Sequence, residues 1–455
     1  MKRDSACFGD VEVCDWLLKG SARRLGGAKR CSGSSVLSLP ASTQRPRRQG
    51  WILQLQLEKA KPWKEGVSQA RVWEEEKEAG FELRVEGGWC RRTMDCFITS
   101  TGAYLPGAPV ANDRISAFLG TLEGEAEVAK SVLAMNGIVQ RHYAQDLQQQ
   151  TTQDVYELAG CAAQTCLAER TPDRAISFLT VGTTYAPLAA PGIASIVHHR
   201  LAEKGLVERP VEISSHGGIC TSASAALIAA VRGVKQGEHQ TALCIGAEHA
   251  SEVLKSSAIQ PIDDRAEHSD LRKSQWFMSV FLRFMLSDGA GAFLLESEPR
   301  REGLSLRVDW AHSLSFAHAA PLCMKLRNDT RLLSQDVNIL NRYFYKLARE
   351  FVEIALREHG EVLDSYQMAL PHMSSFFFQR KMEKIMQELS KNPERPVPYW
   401  TNLATAGNTG AASIYVILDQ YLREHRLGQG ERMLLFIPES GQFNFVLVSL
   451  TAVVA

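Results

Sequence analysis

No charge of one sign dominates this chain: 51 Lys and Arg stand against 51 Asp and Glu in 455 residues. That balance argues against a protein whose main task is to coat nucleic acid. No stretch reaches the ~18–20 consecutive apolar residues of a membrane-spanning helix. The N-terminus also lacks the ~7–15-residue apolar run of a secretory leader. Ten cysteines form no C-x-x-C pair, no Cys/His zinc pattern and no small-secreted framework. Reduced thiols, a cytoplasmic location and no bound metal are the expectation.

What charge there is lies unevenly. Residues 1–93 carry 18 basic and 12 acidic side chains. They combine a Ser/Arg/Gly-rich stretch (Gly20–Gly50), the run Glu74–Glu78 and the scattered Trp51, Trp63, Trp73 and Trp89, which have no helical or strand period. They read as a poorly ordered extension, or as the product of a start placed too early, with Met94 the better start. A transit peptide is the rival reading, against which Asp4, Asp10, Glu12 and Asp15 count.

From Met94 the pattern becomes strand–helix alternation, which means α/β layering. Strands are expected at Cys96–Pro106, Ala175–Val181, Val211–Ser214, Ala242–Gly246, Ala290–Glu296 and Leu304–Trp310. Helices are expected at Val128–Met135, Asp154–Ala168 and Ser222–Lys235. A second series follows: helices Val337–Glu358, Phe376–Lys391 and Ala411–Glu424, and strands Gln367–Leu370, Arg432–Ile437 and Phe443–Val454. The two series follow one plan run twice, which divides the chain into 94–300 and 301–455.

Three junctions carry chemistry. Gly217-Gly-Ile-Cys-Thr-Ser-Ala223 puts Cys220 at a helix N-terminus, where unpaired N–H groups and the helix dipole favour a thiolate; a buried cysteine at a strand–helix junction is the plain alternative. Leu370-Pro-His-Met373 sets His372 at the C-terminal end of a short strand, where α/β sheets place ligand-facing residues. Gly407-Asn-Thr-Gly410 sets Asn408 in a Gly-flanked turn that opens a helix. His372 Nε2–H and an Asn408 amide N–H could together hold an anionic thioester oxygen. A satisfied core histidine and an N-cap asparagine are the plain alternatives. Glu248 reads as a buried structural carboxylate, His198-His199-Arg200 as a solvated helix face, and Asp288-Gly-Ala-Gly291 as a tight turn that lacks the third glycine of a phosphate loop.

The ordered set Cys220, His372 and Asn408 resembles the thiolase superfamily, in particular the β-ketoacyl-[acyl-carrier-protein] synthase III (KAS III) condensing enzymes. Gly137-Ile-Val-Gln-Arg141, Ile245–Ser251 and Leu286–Ala292 support the match, which covers about residues 96–455. A finer resemblance is to the dialkylresorcinol condensing enzymes (DarB-type). It rests on Asn136–Ala144, Gln335–Leu340, Pro371–Ser375, Trp400–Leu403 and Ile437–Gly441. The chain departs from that subgroup at Gln442, where Arg is usual, and at Leu326, where a small residue is expected.

The resemblance implies an internally duplicated thiolase-like fold with five α-β-α-β-α layers, and an acyltransferase. Cys220 would take an acyl group from a thioester, with its own N–H and one from Ser440-Gly441-Gln442 as the oxyanion hole. His372 and Asn408 would stabilise the enolate of the second thioester, which then attacks the acyl group. A β-ketoacyl thioester joined to a second acyl thioester would give a cyclohexanedione, which a separate aromatase would process. Conventional decarboxylative condensation with malonyl-ACP in fatty-acid initiation, an O- or N-acyl transfer, and a non-catalytic thiolase-like partner subunit are the alternatives. A glutamate base of the hydroxymethylglutaryl-synthase kind has no local counterpart. Arg141 is the candidate contact for the phosphate-bearing arm of coenzyme A or of acyl carrier protein, with a surface arginine as its plain reading. Phe376, with Phe377 and Phe378, is either core or acyl-tunnel wall. No cofactor beyond the acyl thioesters is implied; a homodimer is.

Overall fold

The computed structural model describes residues 94–455, except 171, 173, 260, 262–263 and 271–273, together with the backbone of three earlier strands. Those strands, Trp51–Leu53, Ala70–Lys77 and Gly80–Glu86, pair antiparallel in sequence order. The rest of the expectation for 1–93 lies outside the described residues. Residues 92–455 make up a compact unit of their own, and it carries the candidate site.

Nine strands of this unit make one sheet. In chain order they are β1 (Phe97–Tyr104), β2 (Phe178–Thr183), β3 (Glu212–Gly217), β4 (Thr241–Glu248), β5 (Gly289–Glu296), β6 (Leu304–Ser315), β7 (Met368–Pro371), β8 (Arg432–Pro438) and β9 (Asn444–Val454). Their spatial order is β7-β8-β9-β6-β1-β5-β4-β2-β3. From the centre outward each half repeats one pattern. β1 pairs antiparallel with β5, β5 antiparallel with β4, and β4 parallel with β2. β6 pairs antiparallel with β9, β9 antiparallel with β8, and β8 parallel with β7. Where the first half adds β3, the second adds only a parallel bridge between Ala369 and Tyr399. The duplication expected from element order is therefore present in the strand pairing.

The halves meet at a narrow seam, with Leu306 opposite Ile98 and Arg307 opposite Phe97. Both halves are covered on two faces, which explains the near-continuous apolar runs. On β4, Leu243, Ile245 and Ala247 face an outer layer that contains α2 (Val155–Glu169) and α3 (Ile193–Glu203), while Ala242 and Cys244 face inward. The α1 helix (Glu125–Asn136) and α5 (Gln275–Arg283) belong with the opposite outer layer. On β8 the alternation recurs: Leu434 and Phe436 face α6 (Val337–Glu358) and α7 (Gln379–Leu389), while Met433, Leu435 and Ile437 face inward. Between the half-sheets lie α4 (Ser222–Lys235) and α8 (Ser413–Glu424). These are the five layers of the thiolase-like fold.

The buried α4 explains its composition. A Cβ on Gly182 of β2 would lie 2.4 Å from the Ala223 backbone. Only glycine on the strand and small residues on the helix allow that approach. Helices α4 and α8 thus sit back to back in sequence role, each led by one of the junctions singled out above.

Candidate active site

β3 delivers the chain through Gly217 and Gly218 to Cys220, two residues before α4 begins at Ser222. The first turn is not capped by the Thr221 side chain acting locally. Instead the Glu439 carboxylate, 218 residues away, accepts from both Thr221 N–H (3.0 Å) and Thr221 Oγ1. Asn444 Nδ2 completes the bracket by donating to Thr221 Oγ1 at 2.8 Å.

Cys220 is buried, and burial pushes its thiol well above the usual range; the Glu439 and Glu248 carboxylates push it further, and its own N–H acts in the opposite sense. A helix terminus is worth about 0.3–1 kcal/mol, up to ~2 in the best geometries, or about 1.5 pK units. Complete burial is worth up to about 3–5 units. Desolvation wins, so Cys220 rests as a thiol and not as the thiolate expected from its helix position.

His372 follows β7 directly and extends its ladder, with its N–H donating to Phe436 O at 2.8 Å. Burial lowers its imidazole to about 4, so it is neutral at pH 7. Nδ1 is buried without a hydrogen-bond partner. An orphaned lone pair costs less than an orphaned N–H, which favours the tautomer that carries its proton on Nε2. Cys220 and His372 thus form a neutral thiol–imidazole pair.

Asn408 is buried in a turn that Gly407 enters at φ +72°. Its backbone is locked between Met285 O and Ser287 N–H. Its Oδ1 accepts from Gly410 N–H at 3.0 Å, which leaves Nδ2 without an acceptor among the described residues. Glu248 pins the next turn, accepting from Ala411 N–H (3.0 Å) and Thr184 Oγ1 (2.6 Å). Burial raises the Glu248 carboxyl to about 7. This is the structural role expected of it, at the start of α8.

Two cavities meet at the end of β8. The first holds about 30 Å³ and is lined by Cys220, His372, Phe344, Phe378, Pro438 and Ser440, among others. The second is open, about 360 Å³, with Gly218, Ile219, Met324, Glu439 and Gly441 on its wall. Residues 438 and 440 face one and 439 and 441 the other, as the period of an extended chain dictates. The structure brings Cys220 and His372 to one cavity. Asn408 is not on its wall, and Gly441 is on the wall of the neighbouring one.

Two expectations need correction. Arg141 does not reach a carrier's phosphates. Its guanidinium is completely buried, donating to Asn112 Oδ1 and to Phe284 O. It lies under the Asn408 turn: a Cβ on Gly407 would be 3.1 Å from Arg141 Cγ. Phe376 does not line the Cys220 cavity. It covers Gly137, whose Cβ would sit 2.5 Å from its ring, and Phe378 is the phenylalanine on the cavity wall.

Other motifs take the plain reading. His198 and His199 lie on α3, bonded to Arg209 O and facing Glu203. Asp288 is a buried brace that accepts from Ala144 N–H, Ser251 N–H and Ser251 Oγ. Sequence reasoning used the segment Ile437–Gly441 as a family mark and as the source of an oxyanion N–H, and gave Glu439 no role. Its signal was a carboxylate placed directly after the apolar run Met433–Pro438. Among the described residues no cluster of three or more His, Cys, Asp or Glu could hold a metal. No described helix is long and apolar enough to cross a membrane.

No protein-family model matches the chain. The β-ketoacyl-[acyl-carrier-protein] synthase III of Xanthomonas oryzae pv. oryzae is 25% identical over 343 residues, 74% of this chain and 93% of that protein. The corresponding synthase of Acholeplasma laidlawii is 24% identical over 332 residues, 71% of this chain and 89% of its own. Among solved structures, a tetronic acid condensing enzyme superposes with a TM-score of 0.62 at 21% identity, over 78% of this chain and 99% of that one. These relatives are acyl-transferring condensing enzymes, and on fold and sequence this chain is KAS III-like.

Proposed function

We propose that this chain forms carbon–carbon bonds between two thioesters through an acyl group held on Cys220. The observation that carries the reading is the shared buried cavity of Cys220 and neutral His372, each at the end of a strand–helix junction. In the first step Cys220 Sγ attacks the thioester carbonyl. The Sγ–C bond forms, the carrier's C–S bond breaks, and the Cys220 proton leaves with the carrier thiol. The N–H groups of Cys220 and Gly441 are assigned to the developing oxyanion.

In the second step His372 Nε2–H and Asn408 Nδ2 hold the enolate oxygen of the second thioester. The enolate carbon attacks the acyl carbonyl, the C–C bond forms as the acyl–Sγ bond breaks, and the departing Cys220 sulfur is reprotonated by the proton given up at C2 or, on the decarboxylative route, by one from water. A β-ketoacyl thioester supplies that enolate by loss of an already acidic C2 proton. A malonyl thioester supplies it by loss of carbon dioxide. The residues at 136–144 and 437–441 support the first route and a cyclohexanedione product, which an aromatising enzyme would then consume. Neither route has a net redox change or calls for a metal. The carrier is coenzyme A or acyl carrier protein.

A homodimer belongs to the same reading. β3 is an edge of the nine-stranded sheet, exposes Ile213 and leads on to Cys220. A second copy pairing there would cover an edge that proteins rarely leave bare.

The test is intact-protein mass spectrometry with a panel of acyl thioesters, with Cys220→Ala alongside. A mass gain equal to the acyl group, absent in the variant, is expected. Addition of β-ketoacyl thioester should then give a cyclohexanedione; an open chain from malonyl thioester would assign the decarboxylative route instead. Equal loading of Cys220→Ala would remove the nucleophile assignment.

A further inference from the structure

Glu439 is a buried carboxylate with no cation partner. It is 8% exposed, and no described Lys, Arg or His lies within ion-pair distance of it. Oε2 is committed to Thr221 N–H and Oγ1. Oε1 has no hydrogen-bond donor among the described residues. A Cβ on Gly441 would lie 2.7 Å from Oε1, so only glycine there leaves that oxygen unobstructed. Glu439 belongs to the wall of the open ~360 Å³ compartment, whose remaining wall includes apolar Ile219, Leu322, Met324 and Leu326.

A buried carboxylate with no cation and one oxygen without a donor is costly, and it sits where it makes Cys220 harder to ionise. An offset is expected from something that enters the compartment. The compartment's size fits a ligand pocket, whereas the 30 Å³ beside His372 holds about one water. Gly218 and Ile219, which lead directly into Cys220, stand on the larger compartment's wall with Gly441 and place it beside the Cys220 loop.

We propose that this compartment receives the acyl group carried by Cys220, and that Glu439 selects acyl groups with a hydrogen-bond donor near the thioester, such as a 3-hydroxyl, and rejects anionic ones. The proposal rests on Cys220 being the acyl acceptor. Apolar walls take the chain, and Oε1 accepts the hydroxyl proton in a charge-assisted bond. A carboxylate-bearing acyl group meets like charge at the same point. Gln442, on the same wall, leaves that charge unneutralised.

The experiment compares rates of Cys220 acylation by butyryl-, 3-hydroxybutyryl- (both enantiomers) and succinyl-coenzyme A, read by intact mass. It uses the full chain, Glu439→Gln and Gln442→Arg, with Cys220→Ala as blank. Thermal unfolding checks that the variants fold. In the parent chain one 3-hydroxybutyryl enantiomer should load roughly tenfold or more faster than butyryl, the size of a charge-assisted hydrogen bond. Succinyl should load slowest. Both variants should bring the hydroxybutyryl-to-butyryl ratio toward one and raise the succinyl-to-butyryl ratio. A parent ratio near one, or ratios unchanged in both variants, overturns the proposal while leaving Cys220 as nucleophile. Loading from no thioester overturns the Cys220 reading and this proposal with it.

Discussion

Replacing Glu248 with Gln should change how stability depends on pH, and the buried geometry sets the size. Burial holds the Glu248 carboxyl at about 7 against 4.5 for an ordinary glutamate. The folded state therefore keeps a proton that the unfolded chain has lost. Its contribution is fully present below pH ~4.5 and disappears as pH rises through 7. Linkage over the interval from pH 5 to pH 8 gives about 2.5 kcal/mol. Glu248→Gln keeps an acceptor for Thr184 Oγ1 and Ala411 N–H but removes the titration. Urea unfolding of parent and variant at the two pH values reads the difference. The variant should gain about 2.5 kcal/mol relative to the parent between pH 5 and pH 8. A gap constant to within about 0.5 kcal/mol, or one that narrows, would refute a desolvated carboxyl at the head of α8. Taking the difference between variants cancels the many surface carboxylates that titrate in the same range.

Other outcomes follow from the same geometry. His372, held near 4, has the opposite sign: its contribution is complete above pH ~6.5 and is lost as pH falls toward 4. His372→Gln should flatten that limb in urea unfolding. Asn408→Ala should leave Cys220 acylation measurable by mass while slowing condensation by about 10²–10³, the cost of losing one oxyanion donor. Arg141→Met should leave Asn112 Oδ1 without its donor and Phe284 O with Asn136 Nδ2 alone, and lower stability by about 1–3 kcal/mol, with carrier affinity changed little at matched active fraction. Light scattering should show a dimer that a charged residue at Ile213 disrupts.

The layered fold was legible because its buried strands advertise themselves. Ala242–Gly246 and, after Arg432, Met433–Ile437 are apolar on both faces, and the structure extends the two expected strands by only a few residues. The amphipathic α5 was passed over, because Trp276, Phe277 and Phe281 give a short aromatic-rich pattern that no Gly or Pro brackets. At the site, local context marked Cys220, His372 and Asn408. It could not reveal that Arg141 is enclosed, since burial of a guanidinium depends on Asn112 and Phe284 from other elements. Nor could it foresee the thiol state of Cys220. The helix terminus is local information, whereas the Glu439 carboxylate arrives from the far end of the chain.

The seam between the half-sheets has a consequence for how the chain can be cut. Only two facing residue pairs join β1 to β6, and the connection between β5 and β6 runs through exposed Glu298, Arg301, Glu302 and Gly303. Yet α8, from the second half, packs against β1 and β5 of the first. Severing the backbone at 301–303 would thus leave two pieces that hold one another by interleaved helices more than by strand pairing. Cys220 would go with one piece and His372 and Asn408 with the other. Because Gly441, Glu439 and Asn444 travel with the second piece, acylation of Cys220 as well as condensation would require the reassembled pair, so complementation would report association of the halves through chemistry.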